Sequence, residues 1–209
     1  MSKTLALSLG TLGAGGFGAA GVYYFKNTPE SPKETFRTKY SKALIGEDDS
    51  IWDSKLSALE SSSSNPKNRN LIQAKSEKNG GKKDEAKASL KRGCHEIYSN
   101  PVNGSDDFSD FKNFCSFNNK DKIASGHQLV DGEGDFTTHW DTFNSAGKDT
   151  LYGGFKEIHD SKGNSADAEG WKGKMLKECK KISEDIFEGE ITDFTRFCTK
   201  ATPTPASEA

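Results

Sequence analysis

The chain has 209 residues, room for one or two small domains; 32% of them are hydrophobic, 29% are charged, and mean hydropathy is −0.78. With 29 basic against 31 acidic residues the net charge is −2, which removes the clustered positive field expected of a general nucleic-acid binder. So little apolar surface implies a thin core and long polar loops, with 13 Phe and 3 Trp as the main anchors.

Residues 4–25 carry no charge and are bracketed by Lys3 and Lys26. As a helix they would span about 33 Å, enough to cross a hydrocarbon core of about 30 Å. Ala6, Gly10, Ala14 and Gly18 recur every fourth position, a smooth stripe along which a second copy could pair as a homodimer. Tyr23, Tyr24 and Phe25 stand at the far end, where an interfacial aromatic belt belongs. A transmembrane anchor is the expectation, with a signal peptide cleaved near Ala19 and Ala20 as its competitor.

The same stretch matches G-x-G-x-x-G at Gly13, Gly15 and Gly18, the loop that seats a dinucleotide pyrophosphate at a helix N-terminus. That motif needs a second strand with an acidic residue about 20 positions later. Residues 27–39 are instead polar, carry Pro29 and Pro32, and offer no β-branched run. A dinucleotide-dependent oxidoreductase is therefore kept only as the alternative, and no cofactor is expected. Orientation is set by two opposed signals. Lys26, Lys33, Arg37 and Lys39 against Lys3 favour a cytoplasmic C-terminal part, whereas four paired cysteines favour an oxidising, extracellular one. Large C-terminal domains translocate largely regardless of local charge, so the outside is preferred.

After a linker over 26–35, Phe36, Tyr40 and Leu44 are spaced four apart and predict a short helix. A second is predicted from Ser50 through Trp52, Leu56 and Leu59, with Ser50 and Asp53 resembling a capping box. Residues 61–83, rich in Ser, Lys and Gly, read as a solvated loop. Leu90, Cys94, Ile97 and Tyr98 define a helical face that Asn100 and Pro101 end, and Phe108, Phe111, Phe114 and Cys115 define the next. Further on, Met175, Cys179, Ile182 and Ile186 form one face and Ile191, Phe194, Phe197 and Cys198 another. Between them, residues 126–164 carry little pattern beyond a weak helix around Trp140 and Phe143, and residues 200–209 read as a disordered tail.

These faces repeat. Asp-Phe-x-x-Phe-Cys occurs at 110–115 and again at 193–198, and Trp-Asp occurs at Trp52 and Trp140. The offsets stay near one value: 88 from Trp52 to Trp140, 85 from Cys94 to Cys179, 83 from Cys115 to Cys198. The fold class expected is mainly α, an N-terminal transmembrane helix over 4–25 followed by two tandem helical repeats, 36–117 and 118–199, then the tail at 200–209. Each repeat holds one Cys on an apolar helical face and another 21 or 19 residues later, which predicts bridges Cys94 to Cys115 and Cys179 to Cys198.

Trp52 with Asp53, the Leu90-Lys91-Arg92-Gly93-Cys94 element, the aromatic-Cys ending and the glycine-rich N-terminal segment together resemble the large paralogous protein families of haemotropic mycoplasmas. The likeness covers most of the chain. Phe114 and Phe197 depart from it where a Trp-Cys ending is common. The resemblance implies no enzyme activity, and a membrane-associated, surface-displayed protein whose partners are host or surface proteins, or whose role is antigenic variation.

Chemistry sought elsewhere is thin. Cys94 and His95 are adjacent, but neighbours on a helix point about 100° apart, so a thiol enzyme built on them lacks its base. The four cysteines contain no C-x-x-C knuckle for zinc. Asp131, Glu133 and Asp135 alternate like the start of a calcium loop, but Phe136 and Thr142 stand where its Gly and bidentate Glu belong. His127, His139 and His159 have no ligand spacing, and Asn103-Gly104-Ser105 matches a glycosylation sequon that matters only in a eukaryotic secretory host.

Overall fold

Two aromatic cores organise the chain, each wrapped by short helices and each pinned by one disulfide. The computed structural model describes residues 33–47, 50–103 and 106–203. The predicted anchor at 4–25, its small-residue stripe and the Gly13 to Gly18 loop lie outside the described residues, as does most of the linker.

The first lobe is mainly helical: α1 (Phe36–Lys39), α2 (Ile51–Ser61), α3 (Arg69–Asn79), α4 (Lys83–Ser99) and α5 (Phe108–Asp110), which runs into a π-helical turn, Phe111–Cys115. Along α4 the buried positions Ala86, Leu90, Gly93, Cys94, Ile97 and Tyr98 follow the helical repeat and turn one face inward. Trp52 is buried in the same core and donates its Nε1 hydrogen to Gly46 O at 2.7 Å.

Three expectations for this lobe are corrected. Residues 61–83 are not an open loop, because α3 occupies most of them. The Asn68 side chain caps α3 by accepting from Asn70 N (2.9 Å) and Leu71 N (3.3 Å), and Gly81, at φ +78°, turns the chain away at its end. The buried Asp110 carboxylate accepts from Lys67 N and Asn68 N, both at 2.8 Å, which ties down the approach to α3. Burial raises the Asp110 pKa, and those two N–H groups oppose the rise. Gly93 lets α3 and α4 approach closely, since a Cβ there would stand 2.9 Å from Asn68 Oδ1 and 3.1 Å from Leu71 Cδ2. Second, the helix predicted through Leu44 breaks after Lys39: Ser41–Ala43 is one 3-10 turn and Leu44 is extended, bridging Ser116. Third, no capping box forms at Ser50; Asp53 instead pairs with Lys87 (2.8 Å) and Lys83 (3.2 Å) on α4.

The second lobe holds β1 (His127–Leu129), a 3-10 run Glu133–His139 continuing into α6 (Trp140–Asn144), then α7 (Phe155–Ser161), α8 (Trp171–Ser183), α9 (Thr192–Cys198) and β2 (Thr199–Ala201). β1 and β2 pair antiparallel, with Leu129 opposite Thr199, so the start of the expected disordered tail is a strand. The weakly patterned 126–164 stretch therefore carries β1, α6 and α7. The second lobe's centre is Trp171, fully buried and stacked near-parallel with Phe143 at 6.0 Å, while Trp140 lies 5.1 Å away at the margin.

Corresponding features recur in the two lobes. Leu44 bridges Ser116 just past one Phe-Cys ending, and Leu129 pairs with Thr199 just past the other. The architecture is mainly helical with little strand, and among the described residues no helix is long and apolar enough to cross a membrane.

Candidate functional site

The cysteines predicted as site residues are all buried and all bonded: Cys94 to Cys115 with Cα atoms 5.1 Å apart, Cys179 to Cys198 with Cα atoms 5.3 Å apart. One bridge ties α4 to the π-helical turn, the other α8 to α9. Their surroundings match as well, because Cys94 Sγ lies 3.8 Å from Phe114 O and Cys179 Sγ lies 3.9 Å from Phe197 O. Bonded sulfurs have no hydrogen to donate, so these are packing contacts. Cys94 therefore has no free thiol in this structure. His95 points outward to Glu47, with Nε2 3.3 Å from Oε1.

The remaining sequence candidates scatter. Asp131 and Asp135 both pair with Lys200, at 2.7 and 2.9 Å, and Lys200 holds the Asp135 carboxyl down to about 2. His139 is half-buried, its Nε2 has no hydrogen-bond partner among the described residues, and burial lowers its pKa. His159 meets the Phe143 ring edge-on at 5.4 Å. Asn103 is exposed, while the other two sequon residues lie outside the described set. Among the described residues no three His, Cys, Asp or Glu side chains are grouped to hold a metal ion.

Sequence reasoning missed the junction between the lobes. Helix α8 stops at Ser183, and the last carbonyls of a helix have no partner within it. Two asparagines from between the lobes supply donors there: Asn119 Nδ2 donates to Ile182 O at 2.8 Å, and Asn118 Nδ2 donates to Glu184 O at 3.1 Å and to Lys112 O at 3.0 Å. Asn118 Oδ1 accepts from Lys55 Nζ at 2.7 Å, and Lys55 also pairs with Asp121 at 2.6 Å. Lys55 is buried, which lowers its pKa, while the Asp121 charge opposes that shift. After a turn at Glu184 and Asp185 the chain is extended: Asn118 bridges Ile186, and Phe187 N donates to Phe117 O at 2.9 Å. Ile186 and Phe187 pack against the first lobe's core, so Ile186 does not extend the α8 face as its spacing predicted. The available signal was Asn118 three residues before Asp121, a capping-box spacing of which the structure forms one half, Asp121 Oδ2 accepting from Asn118 N at 2.8 Å.

Two clefts flank this extended strap and share Asn119, Gly189, Glu190 and Ile191 as walls. One, of about 440 Å³, is lined by Tyr40, Phe108 and Tyr152 together with Asp185, Glu188 and Glu190. The other, of about 460 Å³, is lined by Ile123, Phe187 and Phe194, with His127 and Lys122. The Lys122 ammonium sits over the Phe117 ring, 3.2 Å from its centroid.

Fold and junction together define a disulfide-stapled, two-lobed helical protein. No protein-family model, no curated protein and no solved structure matches the chain.

Proposed function

We propose that this is a non-enzymatic interaction protein, held at the cell membrane by residues 4–25 with residues 34–209 displayed outside, where it engages a host or surface protein or presents a variable antigenic face. The observation that carries the reading is the pair of equivalent, fully buried disulfides, one per lobe. Cytosolic proteins seldom keep structural disulfides, whereas small, polar extracellular domains use them to make up for a thin core. The resemblance to the haemotropic mycoplasma families supports the same assignment, and the uncharged run of 22 residues supplies the anchor.

Protease shaving of intact cells, with a membrane-impermeant thiol reagent applied before and after reduction, tests it. Residues 34–209 should be cleaved from outside, and the four cysteines should label only after reduction and unfolding. Protection of the lobes in intact cells, or four free thiols in protein taken from them, would overturn the display. Carbonate washing that releases the uncleaved chain would overturn the anchor. Cross-linking checks the homodimer: Gly10→Ile with Gly18→Ile should reduce the dimer population, and an unchanged population removes the pairing.

A further inference from the structure

We propose that the aromatic cleft between the lobes is the docking site, and that its occupant is an extended basic segment of a partner protein that inserts an arginine or lysine side chain. This rests on the reading as an interaction protein, and names the chemistry of the partner.

Three large apolar side chains stand out as exposed among the described residues, Ile72, Phe108 and Tyr152, and two of them line this one cleft. They come from different lobes: Phe108 opens α5 in the first, and Tyr152 precedes α7 in the second. Tyr40 backs Phe108, their ring centroids 6.4 Å apart. Aromatic faces carry negative electrostatic potential, so such a wall favours a cation over a neutral or anionic guest.

Charge agrees with the aromatics. Asp185, Glu188 and Glu190 line the cleft, whose single basic lining residue, Lys112, is already paired with Asp185 at 2.8 Å. Glu188 and Glu190 are exposed and have no ion pair among the described residues. Two further cations stand nearby: Lys39, whose Nζ lies 5.6 Å from the Tyr40 ring centroid and 3.7 Å from Glu34 Oε2, and Lys42, whose Nζ lies 3.4 Å from where a Cβ would stand on Gly189; both end long exposed side chains that an incoming chain can move aside. Acidic peptides, phosphate groups and nucleic acid are disfavoured by the same carboxylates. The second cleft has apolar walls and no equivalent charge pattern, so nothing selects its guest.

The test uses the full-length chain in a neutral detergent and a labelled, amidated peptide alternating Arg and Gly, read by fluorescence anisotropy. Peptides alternating Ser or Glu with Gly serve as comparisons. The Arg peptide should bind, the others should not, and affinity should fall as salt rises. Tyr152→Ala should weaken binding about tenfold, while Tyr152→Phe, which keeps the aromatic face, should stay within about twofold. Glu188→Gln with Glu190→Gln should weaken it about tenfold or more, but Asp84→Asn with Glu85→Gln, an equal charge change on the exposed start of α4, should leave it within about twofold. Tyr152 is half-exposed, so its truncation leaves the fold intact, which an unchanged thermal melt verifies. Absence of binding, equal loss in the two charge variants, or indifference to Tyr152→Ala would each overturn the cleft. Binding by the purified chain does not depend on membrane side, so a failed cleft and a failed surface assignment are told apart.

Discussion

Replacing Asn118 with Ala removes more than its size suggests. The side chain is buried, with Oδ1 accepting from the Lys55 ammonium and Nδ2 donating to two carbonyls, Lys112 O and Glu184 O. A neutral hydrogen bond contributes about 1 kcal/mol net and one to a charged group about 1.5–3, so the three sum to roughly 3.5–5 kcal/mol. Partial repacking and water entry reduce this, and a loss of about 3 kcal/mol is expected, a large fraction of a stability of roughly 5–15 kcal/mol. Urea unfolding followed by tryptophan fluorescence measures it. Lys55→Met leaves the Asp121 carboxylate, among the described residues, with its bond from Asn118 N at 2.8 Å and no cation, so it too is costly. Because the two residues share a bond, the double variant should cost less than the sum of the singles by about 1–2 kcal/mol. A loss below about 1 kcal/mol for Asn118→Ala, or strict additivity with Lys55→Met, would refute the junction as a weld between the lobes.

Removing either bridge as a double Ala variant should cost about 3 kcal/mol by loop closure, and nearly the same in both lobes because the spans are 21 and 19 residues; equilibrium unfolding compares them, and a difference above about 2 kcal/mol would refute entropy as the common cause. Gly93→Ala sets helix propensity, a gain of about 1 kcal/mol, against a Cβ 2.9 Å from Asn68 Oδ1, a cost of about 1–3 kcal/mol; the variant should melt lower, and a higher melting temperature would mean that α3 yields easily. The Lys200 contacts should be visible at both ends of the pH range. Asp135 is depressed to about 2 from 3.8, so its contribution is present above 3.8 and is lost as pH falls towards 2. Lys200 is raised from 10.5 by Asp131 and then Asp135, so its contribution is present below 10.5 and is lost at higher pH. The melting-temperature gap between the wild type and Lys200→Met should therefore be open from about pH 4 to 10 and close on either side; a gap independent of pH would mean that packing, not charge, sets it.

Periodic local signals were legible in the amino-acid order. The face of α4, its stop at Asn100 and Pro101, and the pairing of Cys94 with Cys115 and Cys179 with Cys198 follow from spacing, because helical neighbours and short loops bring those residues together whatever surrounds them. What needed tertiary contact was not legible. Helix α3 buries only Leu71 and Ala74 of its 11 residues, too faint a stripe to see, and holds through the Asn68 cap and the closeness that Gly93 allows. Trp171, which no sequence pattern singled out, is the second lobe's centre, since position in the core is decided by which rings meet. Ile182 and Ile186 share a helical spacing, yet α8 ends between them because Asn118 and Asn119 take its terminal carbonyls and the chain beyond pairs with the other lobe. The candidate site shares this origin. Phe108 and Tyr152 lie 44 positions apart with no pattern joining them, and they line one cleft only because a polar junction, invisible to hydrophobic periodicity, brings the two lobes together there.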